Sequence, residues 1–494
     1  MDTTLLEVIR NYSKVKVLVI GEAMLDSYLG GFSERLCREA PVPVVSVTDR
    51  DYVPGGAANT AVNIRSLGAE VEFLSVLGDD PEGSLLQSAL EERRVSTGQI
   101  IVSPGRRTLA KQRVLSGAQM LVRFDQGDTD PPEPAVEKEM IRRIEKALPG
   151  VDAVIISDYD YGILTPKIIR ALARFQSRHP RLFVVDSKRL EIYREIKPTA
   201  VKPNYNEATQ LLGLQSCKNL DDRVEQMTKH GRKILDLTRA QIAALTMDQH
   251  GALIFERGDG PPYRTYAKSE PNSRAAGAGD TYVSALTLSL AAGAHVENAA
   301  ELASAAASIV VSKEGTAACQ AEELHAHFST SEKFVTDVFQ LAASLAVYRQ
   351  ENRRIVFTNG CFDILHRGHI AYLNRAKALG DILIVGLNSD DSVRRLKGPE
   401  RPINPLEDRG QILAALSCVD HIVPFDGNTP HELIRVIKPD IFVKGGDYSR
   451  ETLPEAGLVE KLGGEVKILP YLDDHSTSSI IERIRKIYAG DASG

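Results

Sequence analysis

An α/β protein of two domains is predicted here, on three observations. Short β-branched runs alternate with segments of helical spacing; the alternation pauses and restarts once, near residue 350; and glycine-rich turns leading into helices hold the chemistry-bearing residues. The 494 residues exceed one ordinary core at roughly 150 residues per domain. With 43% hydrophobic and 26% charged residues, the composition is that of a folded chain rather than a disordered one.

Runs 15–20, 73–77, 154–156, 182–185 and 242–246 are apolar and bounded by Gly, Asp or Lys, as buried parallel strands are. Segments 59–67 and 167–175 between them place apolar residues at helical spacing. Stretches 42–47, 107–116 and 119–125 alternate instead, which predicts a small β lid beside the main sheet. A helical connector is expected over 326–351, between a first domain at 1–325 and a second at 352–494. In the second, strands are predicted at 354–358, 382–387, 421–423, 441–443 and 466–469, with helices at 371–379, 408–416, 430–436 and 478–487.

A formal net charge of −6 supplies no basic footprint, so nucleic acid is not an expected partner. Five cysteines without a CxxC pair argue against a disulfide framework or zinc knuckle and for a reducing compartment. No stretch approaches the ~18 uninterrupted apolar residues of a bilayer span. The first residues lack the basic-then-apolar pattern of a secretion signal. No membrane association and a cytoplasmic location are expected.

Gly277, Ala278 and Gly279 precede a small-residue helix in RAAGAGDT (274–281). Backbone N–H groups there can close around a phosphate at the helix N-terminus. Asp280, in the first turn, can accept a hydroxyl proton during attack on that phosphate; the plain alternative is a helix cap. Gly55 and Gly56 precede another helix, where a ligand can approach the backbone. Asp26 closes GEAMLD (21–26) with a carboxylate suited to sugar hydroxyls. Asn204 and Glu207 in KPNYNE are spaced to orient water on Mg²⁺, and Thr246 to Gly251 follows a strand as a nucleotide-phosphate loop would. Further along, TNGCFDILHRGH (358–369) ends a strand in a turn and puts His366 and His369 three apart at a helix start, able to point together at phosphates. No third His or Cys completes a zinc site there.

The first series resembles the ribokinase-like (PfkB) sugar kinases over about 300 residues, through GGAANTAVNIRSLGA, KPNYNEA and GAGDT in the expected order. GEAMLDSYLGG, EAPVPVVSV and ISDYDYG narrow this to a heptose 7-phosphate kinase branch. Residues 353–487 resemble the cytidylyltransferase-like superfamily. The two in this order resemble the bifunctional heptose kinase/adenylyltransferase family. That resemblance implies a ribokinase-like parallel sheet with a β lid, then a Rossmann-like nucleotidyltransferase α/β domain.

It further implies Asp280 as base, with Gly277, Ala278 and Gly279 as anion hole. Asp26, Gly55, Gly56 and Asn59 would hold the sugar, and Lys111, Arg113 and Arg123 its phosphate. Asn204 and Glu207 would serve the nucleotide and, through water, Mg²⁺; Thr246 and Gly251 would also meet nucleotide. In the second domain His366 and His369 are the catalytic pair. Thr358, Asn359, Gly360, Phe362, Asn388, Lys397, Lys444, Ser476, Thr477 and Ser478 line the nucleotide, with Asn359 and Asp363 shaping the loop. ATP is the expected substrate of both halves, sugar phosphates their other substrates, and a homodimer the expected assembly. Two alternatives stay open: another sugar or CTP, and a kinase half reduced to a scaffold. The second attaches to Arg274, Ala275 and Ala276, where the family usually reads Asp-Val-Thr.

Overall fold

The computed structural model describes residues 5–117, 119–258, 260–267, 276–313, 315–329, 333–335, 338–446 and 450–469. The chain divides into two compact units, Met1–His325 and Ala326–Gly494.

The strands of the first unit are β1 Lys16–Gly21, β2 Ala23–Leu36, β3 Pro43–Gly56, β4 Glu70–Leu74, β5 Val76–Gly78, β6 Ile101–Ser103, β7 Ala110–Ser116, β8 Gln119–Gln126, β9 Ala153–Asp158, β10 Leu182–Ser187, β11 Ala200–Val201, β12 Ile242–Thr246, β13 Ala252–Glu256 and β14 Tyr263–Thr265. Its main sheet runs β14-β13-β12-β11-β10-β9-β1-β4, parallel from β4 to β12 with an antiparallel edge at β13 and β14. The central runs KVLVIG and AVIISD are apolar and almost wholly buried, as strands covered on both faces must be. Register places Gly21 beside Ser157 and Ser157 beside Asp186. The carboxyl ends of β1, β9 and β10 therefore finish level, where ligands bind in open α/β sheets.

The lid is a separate sheet ordered β3-β2-β7-β8. Its first two strands are each 14 residues long, well beyond the expected 42–47. They form a long antiparallel ribbon bent by register shifts at Gly30/Gly31 and Ser33/Arg35.

The second unit has β15 Ile355–Gly360, β16 Ile382–Asn388, β17 His421–Phe425, β18 Ile441–Gly445 and β19 Glu465–Leu469. They form an all-parallel sheet ordered β17-β16-β15-β18-β19. The order reverses between β15 and β18, the crevice in which such sheets hold nucleotides. Leu341 and Leu345, on the helix Val338–Gln350, are buried with Ile355, Phe357, Ile384, Ile434 and Phe442. The stretch expected as a connector is thus part of this core. The expected helix at 478–487 lies outside the described residues. No helix among the described residues is long and apolar enough to cross a membrane.

Candidate active sites

In the first unit, the helix Ala278–Ala291 starts at Gly277, whose φ is +92°. A Cβ there would stand 2.3 Å from Asn59 Nδ2, so only glycine lets this helix start meet the helix Ala57–Ser66. That second helix starts from Gly56, at φ +58°. Gly55 is pinned similarly, since a Cβ would stand 2.5 Å from Asp26 Oδ2. The two helices are stitched by the Thr281 hydroxyl donating to Asn63 Oδ1 at 2.7 Å.

Asp280 is buried and held on both oxygens. Asn59 Nδ2 donates to its Oδ2 at 2.8 Å. The hydroxyls of Tyr159 at 2.8 Å and Thr60 at 3.4 Å donate to its Oδ1. Burial pushes this carboxyl above its usual range, while Asn59, Tyr159, Lys202 and Thr60 pull it back. A carboxylate with enhanced proton affinity but fixed orientation is suited to general-base work.

Tyr159 follows β9 directly, and its backbone N–H is fixed by Glu22 Oε2 at 2.8 Å. Lys202 Nζ lies 3.2 Å from Asp186 Oδ1 and 3.6 Å from where a Gly279 Cβ would stand. Burial pushes Asp186 up to about 7 against the pull of Lys202. Burial alone would lower Lys202, but Asp186 and Glu207 outweigh it and hold the ammonium above its usual range. Tyr159 and Lys202 were not singled out from the sequence; their signal was position, one at a strand end and the other beside the Asn204 motif.

Asn204 and Glu207 form a capping box on the helix Tyr205–Leu212. Asn204 Oδ1 accepts from Glu207 N, and Glu207 Oε2 from Asn204 N, both at 2.9 Å. The cap takes one polar atom of each side chain, Asn204 Oδ1 and Glu207 Oε2. Asn204 Nδ2 and Glu207 Oε1 remain for ligands. Thr246 pairs with Asn204 across the strand ends. Gly251 is required by packing, because a Cβ would lie 2.1 Å from the Thr265 carbonyl.

The lid cations differ in their engagements. Arg113 donates to Asp26 Oδ1 at 2.7 Å. Arg123 shares that face of the lid by register, but forks onto Asp125 at 2.8 Å. Lys111 Nζ sits 5.9 Å from the Tyr159 ring centroid. Arg274 and Ala275 lie outside the described residues; Ala276 N bonds to Gly315 O at 2.9 Å.

In the second unit, His366 stands at the N-cap position of the helix Arg367–Lys377 without a side-chain cap bond, and its ring centroid lies 3.9 Å from that of His369. Burial and then the neighbouring His366 push His369 down to about 3, so its imidazole is neutral at physiological pH. Phe362, at φ +45°, packs its ring 5.4 Å from His369. A Cβ on Gly360 would stand 2.9 Å from that same Phe362 ring. Across the switch point, Lys444 Nζ donates to Asn359 Oδ1 at 2.8 Å. Burial lowers this ammonium, with Glu455 and Cys361 opposing. Lys397 is exposed at the end of the helix Asp390–Lys397.

Two expected nucleotide contacts are interior instead. Thr358 is fully buried, its hydroxyl 2.6 Å from that of Tyr372. Asn388 is also buried and donates to the Ser392 hydroxyl at 2.9 Å. Both fix strand ends, on strands whose successive residues up to these positions are buried on both faces.

Asp363 shapes its loop as expected: Oδ1 accepts from Ile403 N at 2.7 Å and Asn404 N at 3.0 Å, and Oδ2 meets the Arg401 guanidinium. Beneath it the wholly buried Arg409 donates to Cys361 O at 2.6 Å, Asn404 O at 3.0 Å and Asp390 Oδ1 at 2.6 Å. Ser476, Thr477 and Ser478 lie outside the described residues.

Residues 14–323 match the pfkB family carbohydrate kinases, and residues 357–483 match the cytidylyltransferase-like family. Among solved structures, Arabidopsis thaliana ribokinase complexed with ribose and ATP has a TM-score of 0.50 at 18% identity, covering 63% of this chain and 97% of that one. Escherichia coli phosphofructokinase-2 in complex with substrates and products gives 0.51 at 21%, covering 64% and 100%. These show the fold of the first unit. The chain is therefore a bifunctional transferase, a sugar kinase joined to a nucleotidyltransferase, and both families use ATP and typically a divalent metal.

Bifunctional protein HldE of Trichlorobacter lovleyi is 37% identical over 99% of this chain and 100% of its own length. That of Syntrophotalea carbinolica is 38% identical over 99% of each. The chain belongs to the bifunctional HldE family.

Proposed function

We propose that the first unit phosphorylates D-glycero-β-D-manno-heptose 7-phosphate at C1, and that the second transfers AMP from ATP to heptose 1-phosphate. The product, ADP-heptose, supplies the lipopolysaccharide core. The observation that carries the kinase half is Asp280, buried beside Gly277 with both oxygens held by Asn59 and Tyr159. This assembly favours a working kinase over a scaffold.

In the first step the C1 hydroxyl oxygen attacks the γ-phosphorus of ATP, its proton passes to Asp280, and ADP leaves. Lys202 and the amides at Gly277, Ala278 and Gly279 receive the charge on the transferring group. Mg²⁺ fits this site: Asp186, Glu207 and Asp280 outnumber Lys202 in charge. No three acidic, His or Cys side chains stand together as a metal cage among the described residues, so phosphates would supply most ligands. Glu207 Oε1 would accept from a water on the ion, Asn204 Nδ2 would donate to a phosphate oxygen, and the ion would neutralise phosphate charge. Asp26 and Asn59 would orient the sugar.

The first product has two phosphates and the second substrate one, so a separate phosphatase must act between them. In the second step a 1-phosphate oxygen attacks the α-phosphorus of ATP in line, and pyrophosphate leaves. His366 and His369 stabilise the transferring phosphate as hydrogen-bond donors, with Lys444, Lys397 and Ser476 to Ser478 assisting.

The location proposed is the cytoplasm and the assembly a homodimer, the latter supported by the lid. Val122 and Phe124 are exposed on β8, alternating with Arg123 and Asp125. By register, Val114 and Leu29 extend that apolar face across β7 and β2. A second copy of the same strip is the simplest cover.

Incubation with heptose 7-phosphate, ATP and Mg²⁺ should give the 1,7-bisphosphate, and heptose 1-phosphate with ATP should give ADP-heptose. Bisphosphate formation surviving Asp280→Asn, or AMP transfer surviving His369→Ala unchanged, would overturn the respective half.

A further inference from the structure

We propose that Glu22 is a positioning residue of the kinase: without meeting substrate, it sets where the base Asp280 is held. This rests on Asp280 as the base of the first unit and names the residue that stands behind it.

Three side chains bond Asp280 among the described residues: Asn59 and Thr60 from the helix Ala57–Ser66, and Tyr159 from the end of β9. Both elements are fastened to Glu22. Its carbonyl accepts from Ala57 N, at the start of that helix, over 3.0 Å. A Cβ on Gly56 would stand 2.7 Å from the same carbonyl oxygen, so the helix start lies tight against it. The carboxylate takes the other element, with Oε2 accepting from Tyr159 N at 2.8 Å.

Glu22 is itself fixed. It occupies the break between β1 and β2, where the Ser75 hydroxyl donates to Gly21 O at 2.7 Å and accepts from Ala23 N at 3.1 Å. One buried hydroxyl therefore pins the backbone on both sides of it. The residue is 1% exposed, and Oε1 has no hydrogen-bond partner among the described residues. Burying a carboxylate with a free oxygen is costly, and a neutral acceptor would satisfy one N–H at less cost. What the charge adds is a shorter, stronger bond to the residue that orients the base.

Burial, then Asp158 at the end of β9, pushes Glu22 up to about 7, with the Tyr159 N–H opposing. The other groups that feel its charge are Tyr193, which donates to Asp158 at 2.6 Å, and Arg106 in the loop before β7. The anionic anchor is therefore complete above about pH 7 and weakens as pH falls through that value.

The test uses the full chain with Glu22→Gln, which keeps a neutral acceptor, and Glu22→Met, which removes it, each alone and combined with Tyr159→Phe. At about pH 8.5, Glu22→Gln should lower kcat for heptose 7-phosphate roughly 5-fold and Glu22→Met roughly 10-fold or more, leaving both KM values in place. The Glu22→Gln deficit should shrink as pH falls below about 7, where wild-type Glu22 is neutral too. In the Tyr159→Phe background, where no hydroxyl reaches Asp280, either substitution should cost much less. AMP transfer by each preparation is the internal control. Equal losses in the two backgrounds, a raised KM in place of a lowered kcat, or a Glu22→Gln deficit unmoved by pH would overturn the assignment. If Glu22→Met does not fold, Glu22→Gln and its pH trend decide alone. Bisphosphate formation that survives Asp280→Asn would instead overturn the reading on which the assignment rests.

Discussion

Replacing Tyr159 with Phe removes a single oxygen from the kinase site, and its consequence can be worked out from what that oxygen touches. The hydroxyl donates to Asp280 Oδ1 at 2.8 Å. Burial and the nearby Asp280 hold it well above its usual pKa, so it stays a donor across the working range. The backbone N–H of Tyr159 remains anchored to Glu22, so the loop keeps its place. A hydrogen bond to a charged group contributes about 1.5–3 kcal/mol, or roughly 10- to 150-fold in a rate that needs ionised Asp280. The sign with pH follows from the same bond. Tyr159 is one of the groups pulling Asp280 down against burial; without it the carboxyl rises, and the acid limb of kcat/KM moves to higher pH. The deficit should be largest on the acid side and shrink towards alkaline pH. Coupled ADP release from about pH 5.5 to 9 at saturating ATP measures it, with AMP transfer by the same preparation as internal control. An equal loss at every pH, with the acid limb unmoved, would refute the reasoning and leave Tyr159 as packing alone.

Other outcomes follow from single contacts. Gly277→Ala drives a methyl into Asn59 Nδ2, 2.3 Å away, and should abolish bisphosphate formation while AMP transfer persists. His369→Ala should slow AMP transfer by roughly 10²- to 10³-fold, the loss of one donor to transition-state charge. Because His369 falls from its ordinary value to about 3 on folding, the unfolded chain binds more protons between about pH 6.5 and 3. Denaturant unfolding should therefore show the second unit losing stability as pH drops through that window, with a shallower slope in His369→Asn. Arg409→Met leaves the Asp390 carboxylate and two carbonyls unanswered, and calorimetry should show roughly 3–5 kcal/mol lost from the second unit. Phe124→Glu places a charge on the apolar face of the lid and should shift a dimer to monomer in sedimentation.

Local constraints were legible in the chain, and long-range pairings were not. Gly277, Gly56 and Asp280 could be read because a glycine before a helix start limits the backbone whatever surrounds it. The central strands were equally legible: 242–246 was expected and observed as β12, since continuous burial leaves no room for polar residues. The lid strands run much longer than their apolar stretches because Gly30 and Gly31 in β2 and the charged Asp49, Arg50 and Asp51 in β3 hide the alternation. Tyr159 and Asp280 are 121 positions apart, and only the sheet register and the seam between two helices bring them together. Thr358 and Asn388 show the opposite failure: position at a strand end was clear, but not that cover on both faces of β15 and β16 reaches that far along them. The connector was read from polarity, whereas Leu341 and Leu345 needed the second sheet in place to reveal their burial.

The two sites differ in a way that the reacting groups explain. A sugar hydroxyl is a poor nucleophile until its proton has somewhere to go, so the kinase needs a carboxylate whose proton affinity is raised by burial but whose orientation is fixed. Asp280 has both properties, from the interior around it and from Asn59 and Tyr159. The nucleophile of AMP transfer is a phosphate oxygen that is already anionic, so no base is required. Accordingly Asp363, the carboxylate inside the histidine motif, is committed to Arg401, Ile403 and Asn404. What that step needs is relief of negative charge without a countercharge that holds pyrophosphate too tightly. A neutral His369, with a partly buried Lys444 at the end of β18, meets that need, donating hydrogen bonds that strengthen as charge develops. The AMP-transfer profile should then lack the acid limb set by a buried carboxylate in the kinase. Measuring both activities of one preparation across pH checks this directly: a shared acid limb that Tyr159→Phe moves in both would overturn the separation of the two chemistries.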